Sequence, residues 1–118
     1  MAESYIIKRV KKRNGSIVLF EEGKIANAVE RAFKAVGKEN AERAGEIAKK
    51  VIDILELFFR DNGLPSVESI QDLVERTLIL EKEPEAAKAY ILYRKQHEEL
   101  REARSFAMDV QKTMDGYL

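Results

Sequence analysis

The sequence predicts an α+β domain, mainly helical: a bundle of about four helices capped by an N-terminal β-hairpin or small sheet. Three observations carry this expectation. An Asn14-Gly15 pair separates two short runs rich in β-branched residues. Four later segments repeat apolar residues at i, i+3, i+4 spacing. Each of these segments begins or ends on recognisable capping and breaking residues.

Residues 5 to 20 are the hairpin. Tyr5, Ile6, Ile7 and Val10 supply one strand, and Ile17, Val18, Leu19 and Phe20 the other. Asn-Gly is the favoured pair for a two-residue type I′ turn, because both positions need positive φ. That turn sets Lys12 opposite Ile17, Lys11 opposite Val18 and Val10 opposite Leu19. One face would then carry Val10, Lys12, Ile17 and Leu19, and the other Arg9, Lys11, Arg13, Val18 and Phe20.

A first helix is expected from about Glu22 to Val36, with Ile25, Ala28, Val29, Ala32 and Phe33 in its stripe and Gly37 as its stop. A second runs from about Asn40 to Arg60, with an apolar face from Ala44 to Phe58 and Phe59; Asn62-Gly63 and Pro65 end it. Ser66 or the residue beside it can cap a third helix carrying Val67, Ile70, Leu73, Val74, Thr77 and Leu78. Pro84 suits the first turn of a fourth, where its missing N–H costs nothing, and that helix reaches about Phe106. Periodicity weakens from Ala107 to Leu118, a stretch that reads as leading into something else.

Composition excludes several functions. The 118 residues suit one domain with one modest core. Lys plus Arg equals Asp plus Glu at 21 each, which argues against nucleic acid or a membrane surface as partner. With no cysteine and one histidine, His97, there is no thiol catalysis, Cys-ligated zinc or His-rich metal site. No apolar run approaches the roughly 18 residues of a membrane span, and no secretion signal is evident. A cytoplasmic location is the default expectation.

Within this neutral chain, five of the six residues from Lys8 to Arg13 are cationic. No Gly-rich phosphate loop is present, so any phosphate must be held by side chains, and Lys12, Arg13 and Lys24 are the candidates. An equally open reading makes them a solvated edge that blocks sheet aggregation. Glu21 and Glu22 suit either the N-terminus of a helix or acceptance of a hydrogen bond from a base amine or ribose hydroxyl. Ile25 is expected to face the core, while Val10 suits either the core or the face of a base. On pattern alone Gln71 faces solvent, Tyr90 and Tyr93 are core tyrosines, Lys88 and Arg94 sit on a solvated face, and His97 is structural. No nucleophile, base and orienting group occur together, so the chain is not expected to be an enzyme.

Three blocks resemble a known family. Val10, Lys12-Arg13-Asn14-Gly15, Phe20, Lys24-Ile25 and Ala28 are similar to the opening of the ATP-cone domain, usually Val-x-Lys-Arg-Asp-Gly, a Phe-Asp step and Lys-Ile-x-x-Ala. Ser66 to Glu75 resembles its third-helix signature, and Ala87-Lys88-Ala89-Tyr90-Ile91-Leu92-Tyr93-Arg94 its closing helix. The blocks lie in family order over about residues 7 to 97. Asn14 and Glu21 depart from the usual pattern.

The resemblance implies an allosteric regulatory domain of ribonucleotide reductase, of the anaerobic or cobalamin-dependent type, that binds ATP or dATP without chemistry of its own and so serves DNA replication. It implies nucleotide contacts from Val10, Lys12, Arg13, Glu21, Lys24, Ile25, Asn27, Gln71, Lys88 and Tyr93, with Mg2+ arriving on the nucleotide. Lys12 and Arg13 would take phosphates, and Val10 and Ile25 the base. The implied partners are a nucleoside triphosphate, the reductase's catalytic domain and further copies through cone contacts. Residues 1–104 would form the cone and 105–118 a linker toward a catalytic domain. The repressor version of the family carries a four-cysteine zinc ribbon, which a cysteine-free chain cannot supply. The rival expectation is a helical interaction or oligomerisation module that binds no nucleotide.

Overall fold

In the computed structural model, residues 7–60 and 63–115 are described. The order is β1 (Arg9–Lys11), β2 (Ile17–Leu19), α1 (Glu22–Ala35), α2 (Ala41–Phe58), α3 (Val67–Leu80) and α4 (Pro84–Asp115). This is the expected hairpin-capped four-helix arrangement. Tyr5, Ile6, Asn62 and the segment Gly116–Leu118, all invoked above, lie outside the described residues.

The hairpin register differs from the expected one by a residue. Arg9 pairs with Leu19, Val10 with Val18 and Lys11 with Ile17. The turn is a three-residue loop closed by the Lys12 N–H donating to the Ser16 carbonyl at 2.8 Å, with Gly15 at φ +88°. Asn14 explains the change. Its Oδ1 accepts from the Ser16 N–H at 3.0 Å and the Ser16 hydroxyl at 2.6 Å, so Asn14 acts through its side chain and only Gly15 takes positive φ. The two faces predicted from a two-residue turn are thereby corrected: Val10 now shares a face with Val18, and Lys12 lies across from Ser16.

β1 is held on its other edge too. The Lys11 N–H donates to the Pro65 carbonyl at 3.0 Å, and Lys11 bridges to Ser66 in parallel. Ser66 is also the N-cap of α3, accepting from the Ser69 N–H at 3.0 Å. Ile7 and Val10 are buried, which seats the strand on the bundle.

α1 buries Ile25, Val29, Ala32 and Phe33. It ends in a Schellman turn, with Lys38 N–H to the Phe33 carbonyl at 2.9 Å and Gly37 at φ +72°. Asn40 caps α2 by accepting from the Arg43 N–H at 3.0 Å. α2 buries the stripe from Ala44 to Leu55 but stops at Phe58, a residue 73% exposed rather than part of the buried face.

α3 contributes Val74, Thr77 and Leu78 to the core. Its C-terminus is pinned to α2: Glu81 accepts from Lys50 Nζ at 2.6 Å and its carbonyl from Arg43 Nη2 at 3.0 Å. The Lys50 hydrogen bond holds the Glu81 carboxyl below its ordinary pKa.

α4 buries Ala86, Ala87 and Tyr90, then continues unbroken to Asp115, past the expected end near Phe106. No proline or glycine interrupts it after Pro84, and its later turns are built largely from good helix formers. α2 and α4 each pack against both α1 and α3, so the four helices form a closed ring in chain order.

The α3–α4 corner holds one strained residue. It is a second Schellman turn, with Glu83 N–H to the Leu78 carbonyl at 2.9 Å, but Lys82 rather than glycine occupies the left-handed position at φ 61°. Lys82→Gly is expected to raise the unfolding free energy by about 1 kcal/mol, the scale of relieving an L-residue in that region. A urea titration checks it; an unchanged or lower midpoint would show that the corner is not strained.

Candidate functional site

The hairpin, α1, α3 and the first turns of α4 line a cavity of about 800 Å³. Its hairpin wall is Val10, Lys12 and the run Ile17 to Phe20; α1 and its N-cap add Glu21, Lys24, Ile25 and Ala28. The opposite wall is Val67, Ile70, Gln71 and Val74 of α3, and Tyr90 and Tyr93 of α4 complete it. The body is apolar, with a few polar groups: the Lys12 and Lys24 ammoniums, the Glu21 carboxylate, the Gln71 amide and the two phenols.

The structure brings together seven of the ten residues expected at the site: Val10, Lys12, Glu21, Lys24, Ile25, Gln71 and Tyr93. Asn27 and Lys88 are exposed and do not line the cavity. Arg13 sits at the hairpin tip, where Nε lies 3.9 Å from Glu68 Oε2 of α3 and Nη1 lies 3.7 Å from Glu98 Oε1 of α4. Lys24 Nζ is 3.3 Å from Glu21 Oε2, a pair open to solvent.

Several cavity residues were not expected there. Ile17 and Leu19, well exposed apolar side chains of a two-stranded sheet, were grouped with Val10 and Lys12 as an apolar patch but not assigned to the site, and that patch was the signal. Tyr90 is both core and cavity wall. Tyr93 is not a core residue: its hydroxyl accepts from Arg31 Nη1 at 3.4 Å, and its ring lies 4.1 Å from that of His97. Arg94 departs most from expectation. In place of a solvated position, its side chain is 18% exposed and bound to three side chains of α3.

A second space of about 800 Å³ lies between α2 and α3, along Phe58, Phe59, Leu73, Ile79 and Leu80. Its only cation is Arg76, and its carboxylates Asp72 and Glu75 already hold Arg94. The hairpin cavity alone of these two couples an apolar body to more than one cation. Among the described residues no group of three or more His, Asp or Glu is placed to hold a metal ion, and no helix is long and apolar enough to cross a membrane.

The four helices thus form a ring closed on one side by a hairpin, with Lys12 of the hairpin and Lys24 of the first helix both lining an apolar cavity. The chain belongs to the ATP cone domain family, whose model matches residues 8–99. It is 38% identical over 104 residues to the vitamin B12-dependent ribonucleoside-diphosphate reductase of Thermoplasma acidophilum, covering 84% of this chain and 13% of that protein. The corresponding reductase of Mycobacterium tuberculosis is 36% identical over 97 residues, covering 82% of this chain and 13% of the reductase. The anaerobic ribonucleoside-triphosphate reductase of Haemophilus influenzae is 38% identical over 94 residues, covering 80% and 13%. The chain thus spans 13% of the length of each of these relatives.

Burial pushes the Tyr90 phenol up from 10.0 to about 12. Since its folded pKa exceeds its unfolded one, the neutral phenol's contribution to stability is complete below the unfolded value and is lost as pH rises through the folded value. Tyr90→Phe is expected to reduce the fall in unfolding free energy between about pH 9 and about pH 11.5 by about 2 kcal/mol. Urea titrations at the two pH values test this, and an identical fall in both proteins would assign the titration elsewhere.

Proposed function

We propose that this domain binds one class of effector, ATP or dATP, in the hairpin cavity and regulates a ribonucleotide reductase allosterically, with no chemistry of its own. The observation that carries the reading is the convergence of Lys12 and Lys24 on an apolar cavity in a chain of the ATP cone family. The cations take the triphosphate. Val10 and Ile25 pack against the base, and Glu21, Gln71 and Tyr93 supply the polar contacts that orient base and ribose. Arg13 joins at the phosphate end by exchanging its exposed pairs with Glu68 and Glu98 for phosphate oxygens. Mg2+ enters on the phosphates. Asn27 and Lys88 are not part of the proposed site. The partner that receives the signal is the reductase's catalytic part, with contacts between cone domains as a second route.

ATP or dATP is expected to bind with micromolar affinity, about 8 kcal/mol, a scale that a few charge-assisted contacts plus base burial supply. Lys12→Ala is expected to weaken binding by roughly 1.5–3 kcal/mol, the value of a charged hydrogen bond, with the fold intact because Lys12 is outside the core. Titration calorimetry with ATP, dATP and GTP measures both. No heat at millimolar nucleotide would reject the proposal, and unchanged affinity in a folded Lys12→Ala would move the site.

The bound triphosphate is expected to remain intact. Phosphoryl transfer to water needs a metal and a positioned water in line with the leaving group. Among the described residues that line the cavity Glu21 is the one carboxylate, and it pairs with Lys24; Glu68 and Glu98 near the phosphate end pair with Arg13, and no group of three acidic or histidine side chains is placed to hold a metal. Chromatography after incubation with ATP and Mg2+ checks for ADP. Turnover that survives repurification and disappears in Lys12→Ala would make the domain an ATPase.

A further inference from the structure

Arg94 donates through Nε to Gln71 Oε1 at 3.1 Å. Its Nη1 is held from the other side by Glu75 Oε1 and Asp72 Oδ1, both at 2.8 Å, and Nη2 approaches the Glu68 carbonyl at 3.5 Å. A guanidinium has only donors. The Gln71 atom that meets it must therefore be the oxygen, because the flipped amide would set N–H against N–H. No protein group among the described residues accepts from Gln71 Nε2, and Gln71 lines the hairpin cavity.

We infer that Arg94 is a positioning residue that fixes the polarity of the Gln71 amide, turning its oxygen to the guanidinium and leaving the Nε2 donor as the group the α3 wall of the cavity offers a ligand. This deepens the proposed function and rests on it. The ligand atom opposite Gln71 must carry a lone pair: a purine ring nitrogen or a ribose oxygen. A ligand N–H or amine in that place meets two like donors and is refused. An amide free to turn would accept either kind of atom and discriminate between neither. Specificity at this wall is then set by a residue that touches no ligand, from the neighbouring helix.

The test is an acceptor-deletion series measured by calorimetry on the full chain: ATP against its 1-deaza, 3-deaza, 7-deaza, 2′-deoxy and 3′-deoxy analogues. In the native protein one analogue is expected to bind about tenfold more weakly than ATP, the scale of one hydrogen bond. That ratio is expected to fall to about one in Gln71→Ala. In Arg94→Lys, which keeps the charge for Glu75 and Asp72 but loses the fork, it is expected to fall to about threefold or less. A purely structural role for Arg94 would instead lower the melting temperature and weaken every nucleotide alike, leaving the ratio unmoved, and that result overturns the inference. Gln71→Glu guards against a misfolded Arg94 variant: its carboxylate still accepts from Arg94 but has no donor, so a retained tenfold ratio there also overturns it. Loss of all nucleotide binding by the native chain would instead reject the proposed function itself.

Discussion

The attachment of β1 to the start of α3 is the constraint on which the rest of this domain depends. A two-stranded hairpin is marginal on its own, and this one has three-residue strands. What holds it is a main-chain hydrogen bond from Lys11 to Pro65, together with the burial of Ile7 and Val10. Pro65 and Ser66 also begin α3, whose first turn Ser66 caps. One point in the chain thus sets both the height of the hairpin and the start of the facing wall. The cavity exists because these two elements are separated by α1 on one side and held together at Pro65 on the other.

Charge is distributed around this frame according to burial. Exposed pairs such as Lys24–Glu21 and Arg13 with Glu68 and Glu98 contribute on the order of 0–1 kcal/mol and are screened by salt. The Arg94 cluster differs. Its side chain is mostly covered, and its partners come from a neighbouring helix. Glu75 is covered too, at 26% exposed, whereas Asp72 at 69% faces solvent, so the Arg94–Glu75 contact is the fixed part of the set. The neutral net charge of the chain therefore conceals two kinds of ion pair, one readily exchanged and one fixed.

Much of the fold was legible in the sequence because local rules governed it. Ser66 caps α3 as expected, α2 begins beside Asn40, Gly37 stops α1, and Pro84 opens α4. The hairpin register was missed because Asn14 can serve a turn in two ways, and the side-chain bonds to Ser16 chose the longer loop. The length of α4 was missed because fading apolar periodicity was read as a helix end, whereas a helix of good formers persists without a buried face. In the candidate site, residues of the hairpin and α1 lie close in sequence, so their grouping was visible as a motif. Arg94 was not visible. Its partners Gln71, Asp72 and Glu75 lie on another helix, and no spacing rule within α4 links them.

These differences in strength divide the cavity into two functional halves under the proposed function. The hairpin and α1 half carries its cations in weak, solvent-exposed pairs. A triphosphate can replace those carboxylate partners at little cost, because the pairs contribute so little. The α3 and α4 half carries Gln71 against a covered guanidinium that a ligand cannot draw away without depriving the covered Glu75 carboxylate of its partner. Affinity for the phosphates then resides where rearrangement is cheap, and reading of the base or ribose resides where it is costly. Under that function Arg13 is the phosphate-end cation that ties the hairpin to both other helices of the site, because its two carboxylate partners sit on α3 and on α4. Releasing Glu98 leaves its carboxylate without Arg13 on the helix that runs on to Asp115.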